Sequence, residues 1–190
     1  VSNLVDARES TKGSFSVQMW VNFSEGNKPM LLDVYNNFSL FAQKDGDHYR
    51  MMMRVPDYYR KFKDYDTEIL LEPNRFHHLT FVCEEPSRTW HLYVTHADSI
   101  LAHASCEATS SFNKNHISGK NSVTFGTNLS KLEEYHFKGY IDEVRWWRKA
   151  LTPEDILRNY GRLLTGTENG LAIYYPIDEN ITNQKTAYDY

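Results

Sequence analysis

The segment VPDYYRKFKDYD, residues 55–66, concentrates side chains that could bind a polyhydroxylated ligand. Its planar side chains are Tyr58, Tyr59 and Tyr65, and its hydrogen-bonding side chains are Arg60, Lys61 and Asp64. A sugar ring has an apolar C–H face that packs on aromatic planes, while a few polar groups fix its hydroxyls. The segment therefore predicts a binding surface, to which Trp20 would add aromatic area. The competing interpretation is that the tyrosines cover a sheet edge and the charges keep that edge soluble.

Two adjacent acids, Asp142 and Glu143, are the first candidates for catalysis. Neighbouring residues of a regular strand face opposite sides of a sheet. The two carboxyls would then be unable to act together on one substrate, as glycoside hydrolysis requires. Glu143 is also two residues from Arg145, and we expect these two side chains to form an ion pair on the sheet surface.

The histidines do not predict a metal site. His77 and His78 are adjacent and should face opposite sides, while His91, His96 and His103 lie on or near neighbouring predicted strands. Zinc needs three or four ligands that converge on one point, and the spacing indicates no such convergence. We interpret these residues as surface and sheet-face histidines.

Most of the chain alternates between apolar and polar residues with a period of two, which indicates half-buried strands. In SFSVQMWVNF one face carries Phe15, Val17, Met19, Val21 and Phe23. The sequence KDGD predicts a hairpin turn. Three further strands, at Phe76–Cys83, Thr89–Thr95 and Ser99–Ser105, should form a meander. This pattern favours an antiparallel sandwich.

The meander makes a prediction about Cys83 and Cys106, which end its first and third strands at the same sheet end. Two inter-strand steps separate them by roughly 9–10 Å. A disulfide tolerates at most about 7 Å between Cα atoms, so we expect free thiols.

One helix is predicted, in TPEDILRNYGRLL. Thr152 can cap its first turn, and Pro153 suits the first helical position. Ile156, Tyr160 and Leu163 form a stripe that should dock on the sheet, and Gly161 or Gly166 could end the helix.

The composition is that of one β domain with a single core: 190 residues, of which 41% are hydrophobic. The formal charge of -4 argues against a nucleic-acid partner. No apolar run approaches the ~20 residues of a membrane span, so membrane insertion is not expected. The sequence begins at Val1 without a signal-peptide pattern, and we expect it to be a piece of a longer protein.

The stretch FKGYIDEVRWWRKALTPEDI, residues 137–156, resembles the signature corner of the laminin G-like, concanavalin A-like jelly rolls. In that family a strand F-x-G-x-I-D-E-V-R-hydrophobic-W precedes R-x-L-[ST]-x-E-[ED]-I. SFSVQMWVNF resembles the family's first strong strand, and NRFHHLTFVCEEPSRTWHLYV resembles its W-H-H-V-A … L-Y-V-D-G hairpin. The order and spacing fit across about residues 14–160. Arg75 and the longer THADS turn depart from the family pattern.

The resemblance implies an all-β antiparallel jelly-roll sandwich over residues 1–166 with one short C-terminal helix. Residues 167–190 would be a terminal strand and tail, because GLAIYYPIDEN resembles the opening strand of a following repeat. The resemblance further implies a structural Ca²⁺ at Asp142, since many relatives carry one and a carboxylate suits calcium.

The function that the resemblance implies is a non-catalytic, extracellular carbohydrate-binding module of a Bacteroides-type, multi-domain cell-surface protein. Its partners would be a glycan or polysaccharide and the neighbouring domains of the same chain. The alternative is a structural or adhesive spacer that contacts other proteins. A glycoside hydrolase is the third possibility. The glucanases of this fold use a run Glu-x-Asp-x-x-Glu along one strand, and this sequence contains no such run.

Overall fold

Two antiparallel sheets pack face to face in the computed structural model, which describes residues 13–35, 37–58, 61–85, 87–111, 123–128 and 132–177. The strands are β1 (Phe15–Glu25), β2 (Met30–Val34), β3 (Phe38–Asp45), β4 (His48–Pro56), β5 (Phe62–Leu71), β6 (Phe76–Glu84), β7 (Thr89–His96), β8 (Ser99–Glu107), β9 (Val123–Phe125), β10 (Lys138–Trp147) and β11 (Leu171–Tyr175). A 3-10 turn spans Glu133–Tyr135, and helix α1 spans Pro153–Asn159. One sheet has the order β11-β10-β1-β6-β7-β8 and the other β5-β4-β3-β2-β9. The predicted all-β sandwich is confirmed.

The core lies between the sheets and follows the predicted alternation. All five apolar residues predicted for the inner face of β1 are buried. At one end of this core the rings of Phe15 and Trp146 stack with centroids 5.4 Å apart. The Phe38 ring stacks on Phe15 at 5.0 Å, so aromatic side chains from both sheets interlock. The aromatic residues therefore join the two layers directly.

Part of the outer face of the six-stranded sheet, around β1 and β10, is also covered, which the alternation did not predict. Ser16 and Gln18 lie on that face of β1 and are fully buried. The Ser16 hydroxyl accepts the Leu151 amide at 2.9 Å and donates to the Lys149 carbonyl. The Trp147 indole N–H donates to the Gln18 amide oxygen at 2.9 Å. These bonds attach the segment before α1 to β1, beside a second, smaller cluster of buried apolar residues that includes Ile156 of the helix.

Helix α1 begins as predicted but ends earlier. The Thr152 side chain accepts the Asp155 amide at 3.2 Å, and Pro153 occupies the first turn. The expected docking of Leu163 is wrong: its side chain is 77% exposed. The helix ends at Asn159 and Gly161 takes a φ of +61°, which shifts the phase so that Leu164 is buried instead.

The strand β11 pairs with β10 and forms one edge of the six-stranded sheet. Residues 171–175 thus contribute to this sandwich, whereas the division of the chain at residue 166 and a following repeat stay predictions. No helix in the described ranges has the length and apolar character needed to cross a membrane.

The predicted free thiols are confirmed. Cys83 lies opposite Trp90 in the register of β6 and β7, and Trp90 lies opposite Cys106 in that of β7 and β8. One strand therefore separates the two cysteines, and both are free.

A bulge in β10 changes the relation between Asp142 and Glu143. Trp20 pairs with Asp142 and Gln18 with Arg145, so one residue of β1 faces two residues of β10. Glu143 takes a positive φ of +50° at this point. The expectation of opposite faces is wrong here, because it assumed unbroken alternation, and a bulge interrupts it.

Candidate functional site

A row of polar side chains crosses the outer face of the five-stranded sheet. Asp33 of β2, Ser39 of β3, Arg54 of β4 and Asp64 of β5 occupy facing positions of successive strands. Facing residues of neighbouring strands lie on the same side of a sheet. The antiparallel register therefore brings together four polar groups that are up to 31 positions apart in the chain.

These side chains hold one another in place. The Ser39 hydroxyl donates to the Asp33 carboxylate at 2.7 Å. The Arg54 guanidinium donates two bonds to Asp64, from Nε at 2.6 Å and from Nη2 at 2.8 Å. Such a two-point contact fixes both partners in orientation. The hydrogen bond to Asp64 is also the main cause that raises the pKa of Arg54, to which Tyr135 contributes. The row is a preordered set of donors and acceptors.

A cleft of about 200 Å³ opens over this row. Its aromatic walls are Tyr35, which is 41% exposed, and Phe62, which is 37% exposed. Asp33, Ser39, Arg54 and Asn128 are among its polar lining residues. Lys61 and Asp64 line a shallower depression that continues past Phe62. The cleft combines exposed aromatic rings with fixed polar groups, which is the composition of a small-ligand site.

The segment predicted from sequence lies beside this cleft, and only part of it faces the ligand side. Tyr58 is 65% exposed at the loop before β5. Tyr65 faces the other way and packs against the core; its hydroxyl donates to the Glu107 carbonyl at 2.9 Å. The Lys63 ammonium lies 4.8 Å from the centre of the Tyr65 ring. Tyr59 and Arg60 lie outside the described residues.

The loop that carries Tyr58 is tied to the residues after β8. The hydroxyl of Thr109 donates to the Asp57 carboxylate, and the hydroxyl of Ser110 donates to the Asp57 carbonyl at 2.9 Å. The amide of Tyr58 donates to the same carboxylate at 2.8 Å. The bond from Thr109, followed by that from Tyr58, lowers the pKa of Asp57. The position of Tyr58 is thus set by contacts across the sandwich edge.

Trp20 does not lie with the tyrosines. It belongs to the outer face of the other sheet, where its ring lies 5.1 Å from those of His78 and Tyr160. The predicted set is therefore divided between two faces of the molecule, and ligand binding at any of its members stays a prediction.

The adjacent acids Asp142 and Glu143 both accept hydrogen bonds from other groups of the protein. Glu143 accepts Arg145 Nη2 at 2.7 Å and the Tyr174 hydroxyl at 2.9 Å. The predicted pair of Glu143 with Arg145 is confirmed, but it is buried rather than on the surface, because the chain after α1 covers it: Arg145 is 1% exposed. The Asp142 carboxylate accepts the Glu143 amide at 2.8 Å.

Calcium at Asp142 stays a prediction from the resemblance. Calcium takes 6 to 8 oxygen ligands, of which the Asp142 carboxylate supplies a small part. Across the described ranges, no three His, Cys, Asp or Glu side chains are placed to hold one metal ion.

The sequence analysis missed four residues that line the cleft: Asp33, Tyr35, Ser39 and Arg54. One signal was present in HYRMMMRV, where Arg50, Met52 and Arg54 alternate with apolar residues and so share one face. Placing Asp33 and Ser39 beside Arg54 needed the strand register, which this alternation does not give.

A sequence profile described as the concanavalin A-like lectin/glucanases superfamily matches residues 3–157. Among curated proteins, none is significantly similar in sequence.

Several solved structures share the fold at low identity. A Bacteroides ovatus protein for which carbohydrate binding is proposed is 18% identical with a TM-score of 0.71; the match covers 93% of this chain and 49% of that one. This chain thus spans about half the length of that protein. The CBM40 domain of the Ruminococcus gnavus IT-sialidase, bound to α2,3-sialyllactose, is 12% identical with a TM-score of 0.60, over 82% of this chain and 86% of that one. Domain 4 of an extracellular arabinanase from Geobacillus stearothermophilus, in complex with arabinotriose, is 18% identical with a TM-score of 0.52. The match covers 78% of this chain and 68% of that one.

Proposed function

The chain belongs to the concanavalin A-like lectin/glucanase superfamily, and we propose that it is a non-catalytic carbohydrate-binding module of a larger extracellular protein. The observation that carries this proposal is the cleft on the five-stranded sheet, in which Tyr35 and Phe62 flank the fixed polar row. Fold alone does not give function, so the argument rests on that site.

The cleft suits a sugar because it offers both kinds of contact that a sugar needs. The exposed faces of Tyr35 and Phe62 can receive the C–H face of a pyranose or furanose ring. A carboxylate has about four lone-pair positions, so Asp64 can accept sugar hydroxyls beside its two bonds from Arg54. Because Asp64 and Ser39 are already oriented by protein contacts, little side-chain freedom is lost when a ligand binds.

The likeness to modules solved with oligosaccharides supports the choice of ligand class. Sialyllactose and arabinotriose are bound by domains of the same fold. An extracellular location is proposed on the same basis, since one of these domains comes from an extracellular enzyme. The neighbouring domains of the same protein would supply any catalytic activity.

The acids of the proposed site argue against hydrolysis. Asp33 and Asp64 are three inter-strand steps apart, roughly 14 Å, whereas glycosidase carboxyls lie about 5 to 9.5 Å apart. Asp64 and Asp66 are closer, but each contacts a guanidinium: Arg54 for Asp64 and Arg50 for Asp66. In a glycosidase the two carboxyls flank the scissile bond and act on the substrate, whereas these two carboxylates are bound to arginine side chains.

The test is a glycan array followed by titration of the best ligand. The native domain is expected to bind at least one oligosaccharide saturably. Tyr35→Ala and Phe62→Ala are each expected to weaken that binding at least tenfold. Tyr58→Ala tests whether the loop before β5 belongs to the site: weaker oligosaccharide binding would include Tyr58, and unchanged binding would exclude it. The matched control is Tyr140→Ala, an aromatic that is 61% exposed on the other sheet and should leave binding unchanged.

A spacer that contacts other proteins is the second candidate, and one observation favours it. A cleft of about 320 Å³ at another part of the surface includes Leu70, Phe76 and Leu101, which are all about half exposed or more. Exposed apolar clusters often mark protein contacts. An array on which no glycan binds, or binding that survives both Tyr35→Ala and Phe62→Ala, would remove the proposed sugar site. Concentration-dependent self-association lost in Leu101→Ser would then support the spacer.

A further inference from the structure

Two histidines lie against each other on the outer face of the six-stranded sheet, on a different sheet from the proposed sugar site. His91 of β7 and His103 of β8 point the same way, and Nδ1 of His91 is 3.1 Å from Nε2 of His103. We propose that this pair binds one divalent transition-metal ion of the class that prefers imidazole: Zn²⁺, Ni²⁺ or Cu²⁺.

The spacing of the two nitrogens fits two ligands of one ion. Metal–imidazole bonds are about 2.0–2.1 Å long. Two such bonds put the nitrogens roughly 2.9 Å apart at a square-planar angle and roughly 3.3 Å apart at a tetrahedral angle. The observed 3.1 Å lies between these values. In the hydrogen-bonded pair one nitrogen points at the other, so binding of an ion would require the rings to turn until both lone pairs meet at it.

Neighbouring side chains hold both rings. The Tyr93 ring stacks on His103 with centroids 4.3 Å apart and an angle of 8° between the planes. The far nitrogen of His91, Nε2, lies 3.9 Å from the Glu84 carboxylate. A histidine that binds a metal through one nitrogen commonly directs the other N–H to a carboxylate. At 3.9 Å the contact with Glu84 is electrostatic rather than a hydrogen bond, and in the proposed site Glu84 would be a positioning residue that favours the proton on Nε2 and leaves Nδ1 as the ligand.

The hydrogen-bonded pair and the metal-bound pair differ in which nitrogen of His103 carries its proton. With His91 protonated on Nε2, its Nδ1 accepts a hydrogen bond from Nε2–H of His103. An ion that replaces this hydrogen bond requires His103 to carry its proton on Nδ1 instead. Both imidazoles stay neutral through this exchange, so no net proton is released.

The site has two protein ligands, and water completes the coordination shell. Neither His91 nor His103 belongs to a group of three metal-binding side chains in the described part of the chain. His103 and His91 are both partly exposed, so solvent can supply the remaining ligands. Such a site binds reversibly and has no role in holding the fold together.

The experiment is calorimetric titration of the untagged domain with NiCl₂ and ZnCl₂ at neutral pH. One ion per chain is expected. His103→Gln should abolish saturable binding, and Glu84→Gln should weaken it by about 10- to 100-fold. His96→Gln is the matched control, because His96 is an exposed histidine at the end of the same strand, and it should bind as the native protein does.

A second readout separates the site from other histidines. Zn²⁺ should shift the ring-proton NMR signals of His91 and His103 together, at one ion per chain. The proposal is overturned if no saturable binding occurs, or if His103→Gln, with an unchanged thermal unfolding curve, binds as tightly as the native chain.

Discussion

The guanidinium of Arg145 links β10 to the chain after helix α1 through its contact with Glu143. Its Nη2 lies 2.7 Å from the Glu143 carboxylate and donates to the Arg162 carbonyl at 2.5 Å, while Nη1 donates to the Asn159 carbonyl at 2.6 Å. Asn159 is the last residue of α1, and Arg162 lies three residues beyond it. The last carbonyls of a helix lack partners within the helix. One buried cation therefore serves a bulged strand and a helix end together.

Replacing Arg145 is expected to destabilise the domain strongly. Arg145→Met leaves Glu143 and two carbonyls without their cationic partner, and breaking a buried pair in this way costs about 3–5 kcal/mol. Urea unfolding measures the change. The control is Arg50→Met, which breaks an exposed pair with Asp45; pairs of that kind contribute about 0–1 kcal/mol. Equal losses in the two variants would contradict the assigned role of Arg145.

Gly139 allows β10 to pass close to β1, and no other residue fits there. Its φ is +145°, and a Cβ atom at this position would lie 1.9 Å from the Asn22 carbonyl oxygen. Gly139→Ala should therefore lower the free energy of unfolding well beyond the about 1–3 kcal/mol typical of backbone strain alone. Gly46→Ala is the comparison, because Gly46 also has a positive φ but open space around its Cβ position.

Thermal unfolding of both glycine variants separates the clash from the backbone conformation. Gly46→Ala reports the cost of a positive φ, about 1–2 kcal/mol. If Gly139→Ala costs no more than that, the close approach of the two strands is not maintained in solution.

Acid should destabilise the domain through His78. Burial, followed by the charge of Arg145, lowers the pKa of His78 from 6.5 to about 3. The unfolded chain therefore binds a proton that the folded chain excludes, and stability falls as the pH drops from 6.5 toward about 3. Between pH 8 and pH 5 this contribution is about 2 kcal/mol.

His78→Phe tests this contribution, since it keeps a ring between Trp20 and Tyr160 but cannot titrate. Urea unfolding at a series of pH values should give a shallower loss of stability below pH 6.5 than in the native chain. Identical pH dependence in the two proteins would mean that His78 titrates normally in the folded state.

The two thiols should be unreactive in the folded protein. Burial raises the pKa of Cys106 to about 12 and raises that of Cys83 as well, and the thiolate is the reactive form. A thiol reagent at pH 8 is expected to modify neither cysteine in buffer and both in urea. Rapid modification of the native chain, or fewer than two thiols in urea under non-reducing conditions, would contradict the structure.

The sequence by itself determined the parts of this protein that depend on neighbouring residues. Alternation in residues 15–23 predicted which side of β1 enters the core, and Thr152 with Pro153 predicted where the helix begins. The free cysteines also followed, because adjacent strands of a meander have a fixed spacing. Each of these depends on contacts within a strand, a turn or a hairpin, which the order of residue types specifies.

The tertiary structure decided which distant residues meet. The register of β2 to β5 placed Asp33, Ser39, Arg54 and Asp64 in one row, and the early end of α1 buried Leu164 in place of Leu163. Strand pairing also turned Tyr65 toward the core. It placed Trp20 in the six-stranded sheet, whereas Tyr58 lies in a loop of the five-stranded sheet. Such contacts join residues far apart in the chain, and their geometry depends on sheet order, bulges and the packing of α1, which local periodicity does not encode.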